Sequence, residues 1–298
     1  MKINHTKANT ILNPTGINTI GDYVINPYKG CSFGCLYCYA ANLKSNRNKG
    51  EWGTFVFPKV EAHRILDEEI KQLPESSRID KRIIIGSTCD PYQPVEKKLK
   101  ITSEILSILK KHNLPFFLMT KSPLCVDDLD KFQYNRKNRI CFTVNEDVII
   151  KSMENSYSLE NRLKSFFRIF SSGADIYLHF GPFFPFISNL KILSDLIMEN
   201  LPYNWNHPSQ KKKIRINIEI LNYKSLKSEL RYKVESLFEG KYGSQFREFL
   251  KFYNNYQVFE KFYNALDSQI FNLSSKYPFE YFILSRDQNS FFSEDSNL

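Results

Sequence analysis

Three cysteines set close together are the first chemical signal in this chain. Cys31, Cys35 and Cys38 lie in the run Gly30-Cys31-Ser32-Phe33-Gly34-Cys35-Leu36-Tyr37-Cys38-Tyr39, a C-x3-C-x2-C spacing. A short loop with two glycines can wrap three thiolates around one small inorganic body. Thiolates are soft donors and suit zinc or iron–sulfur. A structural zinc site wants a fourth ligand nearby, and the nearest histidine, His63, falls on a predicted helix. Three thiolates on a four-iron cube leave one iron open to bind a further molecule. The remaining cysteines are Cys89, Cys125 and Cys141. Such clustering in a chain this long argues against a disulfide framework and for metal chemistry in a reducing compartment. Cys125, at a helix start, and Cys141, within a strand, read as core residues.

The elements that must carry this loop alternate along the chain. Strands are expected at Tyr23–Asn26, Arg82–Gly86, Phe116–Thr120, Arg139–Val144, Asp175–Phe180 and Ile214–Ile220. Between them, helical spacing predicts Val60–Leu73, Thr102–His112 with Thr102 as N-cap, and Ser158–Ser172 closed by Gly173. Such alternation implies parallel strands joined by right-handed crossovers. Six repeats are too few for a closed eight-fold barrel, so the expected fold is α/β, a partial (β/α)6 barrel, over residues 1–222. A helical, basic and aromatic extension is expected over 223–298, with helices at Ser225–Phe238 and Ser244–Ile270 and a last edge strand at Phe279–Leu284. Chemistry in such folds sits beyond the C-terminal strand ends. Here those ends carry the cysteine loop, Ser87–Asp90, Thr120–Lys121, Thr143 with Asn145, Gly181–Pro182 and Asn222.

Composition bounds the rest. The 298 residues include 25 Phe and 17 Tyr, enough for a large core, and no apolar run is long enough to span a membrane. The N-terminus shows no apolar segment behind its lysines, so a cytoplasmic location is expected. A net charge of +9 favours acidic partners, nucleic acid first among them.

With these residues in view, the chain resembles the radical SAM superfamily, whose motif is C-x3-C-x2-C with an aromatic before the third cysteine. Within it, Asn26 through Ala40, Asp90-Pro-Tyr-Gln-Pro-Val-Glu96, Thr120-Lys121-Ser122 and Phe142-Thr-Val-Asn145 resemble the spore photoproduct lyase family, and Lys241-Tyr242-Gly243 does so less sharply. The resemblance implies a [4Fe–4S] cluster on Cys31, Cys35 and Cys38, with S-adenosylmethionine (SAM) chelated to the open iron. One electron, from a donor such as a flavodoxin or ferredoxin, would then release a 5′-deoxyadenosyl radical. It implies that Lys121 contacts the methionyl carboxylate, that Thr143 and Cys89 contact SAM, and that the bare backbone of Gly181 approaches adenine. Tyr37 and Tyr39 match hydrogen-relay tyrosines.

The chain also departs from the lyases. Their hydrogen-donating cysteine position holds Ser87, whose O–H bond is too strong to quench a carbon radical, which leaves Cys89 as the candidate donor. The resemblance implies DNA as substrate, engaged in the lyases by a C-terminal hairpin. The corresponding stretch here offers Lys241, Tyr242 and Arg247, and Lys211–Lys213 adds charge. A peptide or small metabolite is the alternative substrate, although the lack of cysteine after Cys141 speaks against auxiliary clusters. A cluster-bearing binding module without catalysis is the third reading.

Overall fold

The computed structural model describes residues 8–15, 21–46, 48–75, 81–202 and 213–284, with the backbone of Lys2–Ile3. Seven strands run parallel in chain order: β1 (Tyr23–Ile25), β2 (Ile83–Ile85), β3 (Phe116–Thr120), β4 (Arg139–Val144), β5 (Ile176–Phe183), β6 (Ile214–Ile220) and β7 (Phe279–Ile283). Asn13–Pro14 adds an antiparallel edge beside β1, so β7 and this short strand form two separate edges and the barrel stays open. All six expected barrel strands are present. The last strand pairs with β6 from Ile214↔Phe279 to Ile218↔Ile283.

Alternation sorts the strand faces. In β6, Ile214, Ile216, Ile218 and Ile220 bury themselves in the main core with the helices, leaving Arg215, Asn217 and Glu219 for the inner wall. The same logic puts Ile84, Phe117, Cys141 and Tyr177 in a second small cluster on the inner face. Cys141 is therefore a lining residue of the barrel interior, whereas Cys125 is buried in the main core.

Helices α1 (Ala62–Gln72), α2 (Ile101–Lys111), α3 (Leu159–Ser171) and α4 (Leu190–Glu199) lie between the strands. Asp67 on α1 bonds Lys111 (2.9 Å) and His112 (2.7 Å) at the end of α2, fixing the two side by side. Ser158 caps α3 by accepting from the Asn161 amide, and Gly173 past its end takes φ +90°, as a glycine there can. α4 was not foreseen, nor were the strand Phe55–Pro58 and the short helix Asp147–Met153.

Two expectations are corrected. Thr102 is not the cap of α2. It lies inside the first turn, its hydroxyl donating to Pro91 O, while the Glu96 carboxylate accepts from the Thr102 and Ser103 amides (2.8 and 3.2 Å). The break expected just before Ser244 is present, but the helix expected from Ser244 to Ile270 is not continuous. Helix α5 runs from Ser228 to Phe252 with a kink at Gly243 (φ +42°, ψ −101°), and the turn comes at Tyr253–Asn255 before α6 (Tyr256–Lys276), which Asn255 caps. Tyr242, Phe246 and Phe249 all contact Phe238 edge-on, so the two segments of α5 pack together across the kink. The segment expected to act like a hairpin is helical. Lys211 and Lys212 lie outside the described residues. Among the described residues, no helix is long and apolar enough to cross a membrane.

Candidate active site

The cysteine loop follows β1 and is held mostly by residues far away in sequence. Gln93 accepts from the Ser32 amide (2.9 Å) and donates to Gly30 O (3.4 Å). From the other side, Met153 O accepts from Leu36 N (3.0 Å), and Asn155 N donates to Phe33 O (2.8 Å). The Gly34 amide bonds Cys31 O, and the φ of +54° at Gly34 closes the turn between the first two thiols where its Cα meets Gly53.

The ends of β1, β2 and β3 are locked to one another. Asn26 accepts from the Thr88 amide (2.9 Å) and donates to Ser87 Oγ (3.2 Å), and its Oδ1 lies 3.8 Å from Cys89 Sγ. Asp90 accepts from Tyr92 N (2.9 Å), Thr120 Oγ1 (2.8 Å) and Lys121 N (2.8 Å), which aims the lysine. The string Asp90 to Glu96 thus has three jobs: Asp90 sets Lys121, Gln93 holds the cysteine loop, and Glu96 caps α2.

Cys31, Cys35, Cys38, Tyr37, Cys89, Lys121 and Thr143 line one cavity of ≈ 130 Å³. The three thiols surround this void; among the described residues, no three Cys, His, Asp or Glu side chains converge as a single-ion centre requires. Burial pushes the Cys31 thiol well up, with Cys35 adding to the effect, and takes Cys38 and Cys89 to about 12. Burial also raises Cys35, but Lys121 works against it, its Nζ 3.3 Å from the sulfur. A set of buried thiols with one ammonium on the rim suits an anionic thiolate-ligated cluster, whose metal charge replaces the protons the thiols otherwise keep.

Behind Lys121 lies a charge network that sequence reading missed. Lys121 Nζ also donates to Tyr37 OH (2.8 Å) and lies 3.4 Å from Glu154. Glu154 accepts from Tyr37 OH and pairs with Arg162, and both charged side chains are fully buried. Every nitrogen of Arg162 has a partner: Nε bonds Tyr157 O (2.9 Å), one terminal nitrogen Thr143 O (3.3 Å), and the other Glu154 and Ser156 Oγ (2.5 Å). Burial alone would raise the Glu154 carboxyl, but Lys121 and Arg162 hold it down to about 2. Burial opposes the Lys121 charge too, and Cys35 and Glu154 outweigh it, keeping the ammonium above its ordinary range. A signal was present: Arg162 lies at i+3 from Leu159 and i−4 from Phe166, on the apolar stripe of α3, where a charge demands a buried partner.

The two tyrosines beside Cys38 separate. Tyr37 is enclosed between Lys121 and Glu154 and packs edge-on to Phe184. Tyr39 is half-exposed, and its hydroxyl donates to Ser87 O at the cavity edge. Gly181 does not line the cavity. It lies at a β-bulge: Ile218 pairs with Phe180 and Ile220 with Phe183, so Gly181 and Pro182 face Glu219 alone. A Cβ on Gly181 would fall 2.1 Å from His179 Nε2. The bare backbone therefore gives room to an imidazole, which pairs with Glu219 (2.9 Å) on the inner wall. Burial would raise the Glu219 carboxyl; its bond to His179 lowers it instead.

Lys241 and Arg247 are exposed on α5, away from the residues lining the cavity, while Tyr242 is half-buried against Phe238. Phe184, just past the end of β5, contacts Phe238 and Phe249 of α5, and Tyr223, just past β6, contacts Phe249, so this part of α5 packs at the C-terminal ends of the strands.

No family model matches the chain. An uncharacterized protein of Methanocaldococcus jannaschii is 32% identical over 182 residues, 60% of this chain and 66% of that protein. An uncharacterized protein of Mycobacterium tuberculosis is 30% identical over 110 residues, 36% of this chain and 32% of its own length. Among solved structures, a spore photoproduct lyase variant superposes with a TM-score of 0.56 at 14% identity, covering 79% of this chain and 65% of the lyase. A second variant, solved with AdoMet and dinucleoside spore photoproduct, gives the same values. The chain thus spans just under two thirds of the lyase and of the archaeal protein. The fold is the α/β one expected from the strand–helix alternation, and the likeness covers 79% of the chain.

Proposed function

We propose that this chain is a radical SAM enzyme. The observation that carries the reading is the single cavity where Cys31, Cys35 and Cys38 meet Lys121 and Thr143, with the ammonium 3.3 Å from Cys35 Sγ. Cys31, Cys35 and Cys38 would hold a [4Fe–4S] cluster, whose chemistry there would be the one-electron reductive cleavage of bound SAM. The chain's own residues do the rest. Lys121, aimed by Asp90, offers its ammonium to the methionyl carboxylate. Thr143, its backbone carbonyl fixed by Arg162, offers a hydroxyl on the adjacent strand. Cys89, on the same cavity wall as the thiols and close to Tyr39 at its edge, is the hydrogen donor we favour in place of Ser87.

DNA is the substrate class we infer. The net charge of +9, the exposed Lys241 and Arg247 on a helix crossing the barrel rim, and a structural neighbour solved with a dinucleoside support it. Phosphates would ride on this basic rim while a base enters the interior. The test is anaerobic reconstitution. Wild type is expected to bind close to four irons and, with dithionite, to release 5′-deoxyadenosine, and Cys35→Ala to lose both. Zinc in place of iron, or turnover surviving the substitution, would overturn the enzyme reading. Absence of DNA binding at low salt, where counterion release favours it most, would overturn the substrate class alone.

A further inference from the structure

We infer that Glu154 is a positioning residue that competes with the ligand's carboxylate for Lys121 and hands the ammonium over when that ligand binds. The inference rests on reading the cavity as a SAM site. Lys121 Nζ donates to Cys35 Sγ (3.3 Å) and Tyr37 OH (2.8 Å), and Glu154 is its ion-pair partner at 3.4 Å. An incoming carboxylate competes with Glu154 for that charge. Cys35 is committed as a cluster ligand, and Tyr37 already donates its own proton to Glu154. Glu154 is the partner that can yield, because it does not depend on Lys121. Arg162, fully buried and fixed by two backbone carbonyls, keeps the carboxylate paired whichever way the lysine turns. Ser156 Oγ donates to it as well. With two cations serving Glu154, that carboxylate keeps Arg162 when Lys121 turns to a ligand carboxylate.

This arrangement predicts an effect whose sign structural damage cannot imitate. Replacing Glu154 by Gln keeps the shape, removes the competitor and leaves Arg162 as an extra positive charge near the cavity. S-adenosylhomocysteine, which has the carboxylate and is not cleaved, should bind E154Q roughly 3- to 10-fold more tightly than wild type, although the variant melts at lower temperature. 5′-Methylthioadenosine, which lacks the carboxylate, should bind both proteins equally, and Lys121→Ala in the E154Q background should erase the gain. Glu154→Asp, which keeps a charge for Arg162 but withdraws it from the lysine, should move affinity the same way by a smaller factor and serves if E154Q is too unstable to titrate. Iron content after reconstitution should be unchanged in both variants. Unchanged or weaker S-adenosylhomocysteine binding by the variants, or equal tightening of 5′-methylthioadenosine, would sink the hand-off while leaving the enzyme reading intact. Failure of reconstituted wild type to bind either nucleoside would remove both.

Discussion

The wall that carries the cysteine loop and the helical cover that carries Lys241 and Tyr242 are held together by opposite means. Around the loop, nearly every contact is polar and directional: Asp90, Gln93, Glu154 and Arg162 each spend several bonds on a named partner. Around α5 and α6 the contacts are rings: Phe238, Tyr242, Phe246, Phe249, Phe252, Tyr253 and Phe259 stack or meet edge-on, with charges left at the surface. A buried polar network tolerates one geometry, because each unpaired group costs about 1–3 kcal/mol. An aromatic cluster tolerates many. Chemistry that needs atoms fixed to a fraction of an ångström belongs on the first kind of wall, and the second kind can drift in sequence without loss of fold.

Four measurements test that contrast. The largest effect is expected from Arg162→Met, which leaves Glu154 buried against a smaller countercharge; roughly 3–5 kcal/mol of stability should be lost in urea titration, and adding Glu154→Leu should restore part of it. A loss below about 1 kcal/mol would mean that the wall is as permissive as the cover. Lys121→Ala should weaken SAM binding about 10- to 150-fold, read by equilibrium dialysis on reconstituted protein, without changing iron content. Tyr242→Ala removes an edge-on partner of Phe238 and should cost about 1–2 kcal/mol; DNA affinity measured on the same variant shows whether the ring also touches substrate. Affinity that falls while the melt stays unchanged would reverse the packing role given to Tyr242 here.

The smallest effect is at the seam. Burial raises Glu146 to about 7, although the Asn189 amide bond works against it. Below its unfolded value, near 4.5, both states are protonated and the group contributes nothing. Between there and about 7 the folded chain keeps a proton that the unfolded chain has lost, so stability falls as pH rises. Glu146→Gln should therefore gain stability at pH 8 and show no gain at pH 4 in paired thermal melts.

The same contrast governs what was legible in the sequence. Strands with clear alternation, such as Ile214–Ile220, and the cysteine spacing could be read because period and spacing are local properties. Glu154, Arg162, His179 and Glu219 escaped because each is meaningful only through a partner from another element. Arg162 on an apolar stripe signalled that a partner must exist but not which one. The break near Gly243 was legible because a glycine's preference for positive φ is local, whereas the turn at Tyr253–Asn255 carried no such signal. Gly181 was expected to present a bare backbone to adenine, and the neighbour that requires a bare Cα in this structure is the His179 imidazole.

The clamp on the cysteine loop also sets an order of events during synthesis. The Tyr37–Glu154 bond spans 117 residues and the Asn155–Ser32 bond 123, so the loop cannot take its final shape until the segment just before α3 has been made. The three thiols leave the ribosome more than a hundred residues before the groups that fix their loop, and the nascent chain carries them uncovered for that interval.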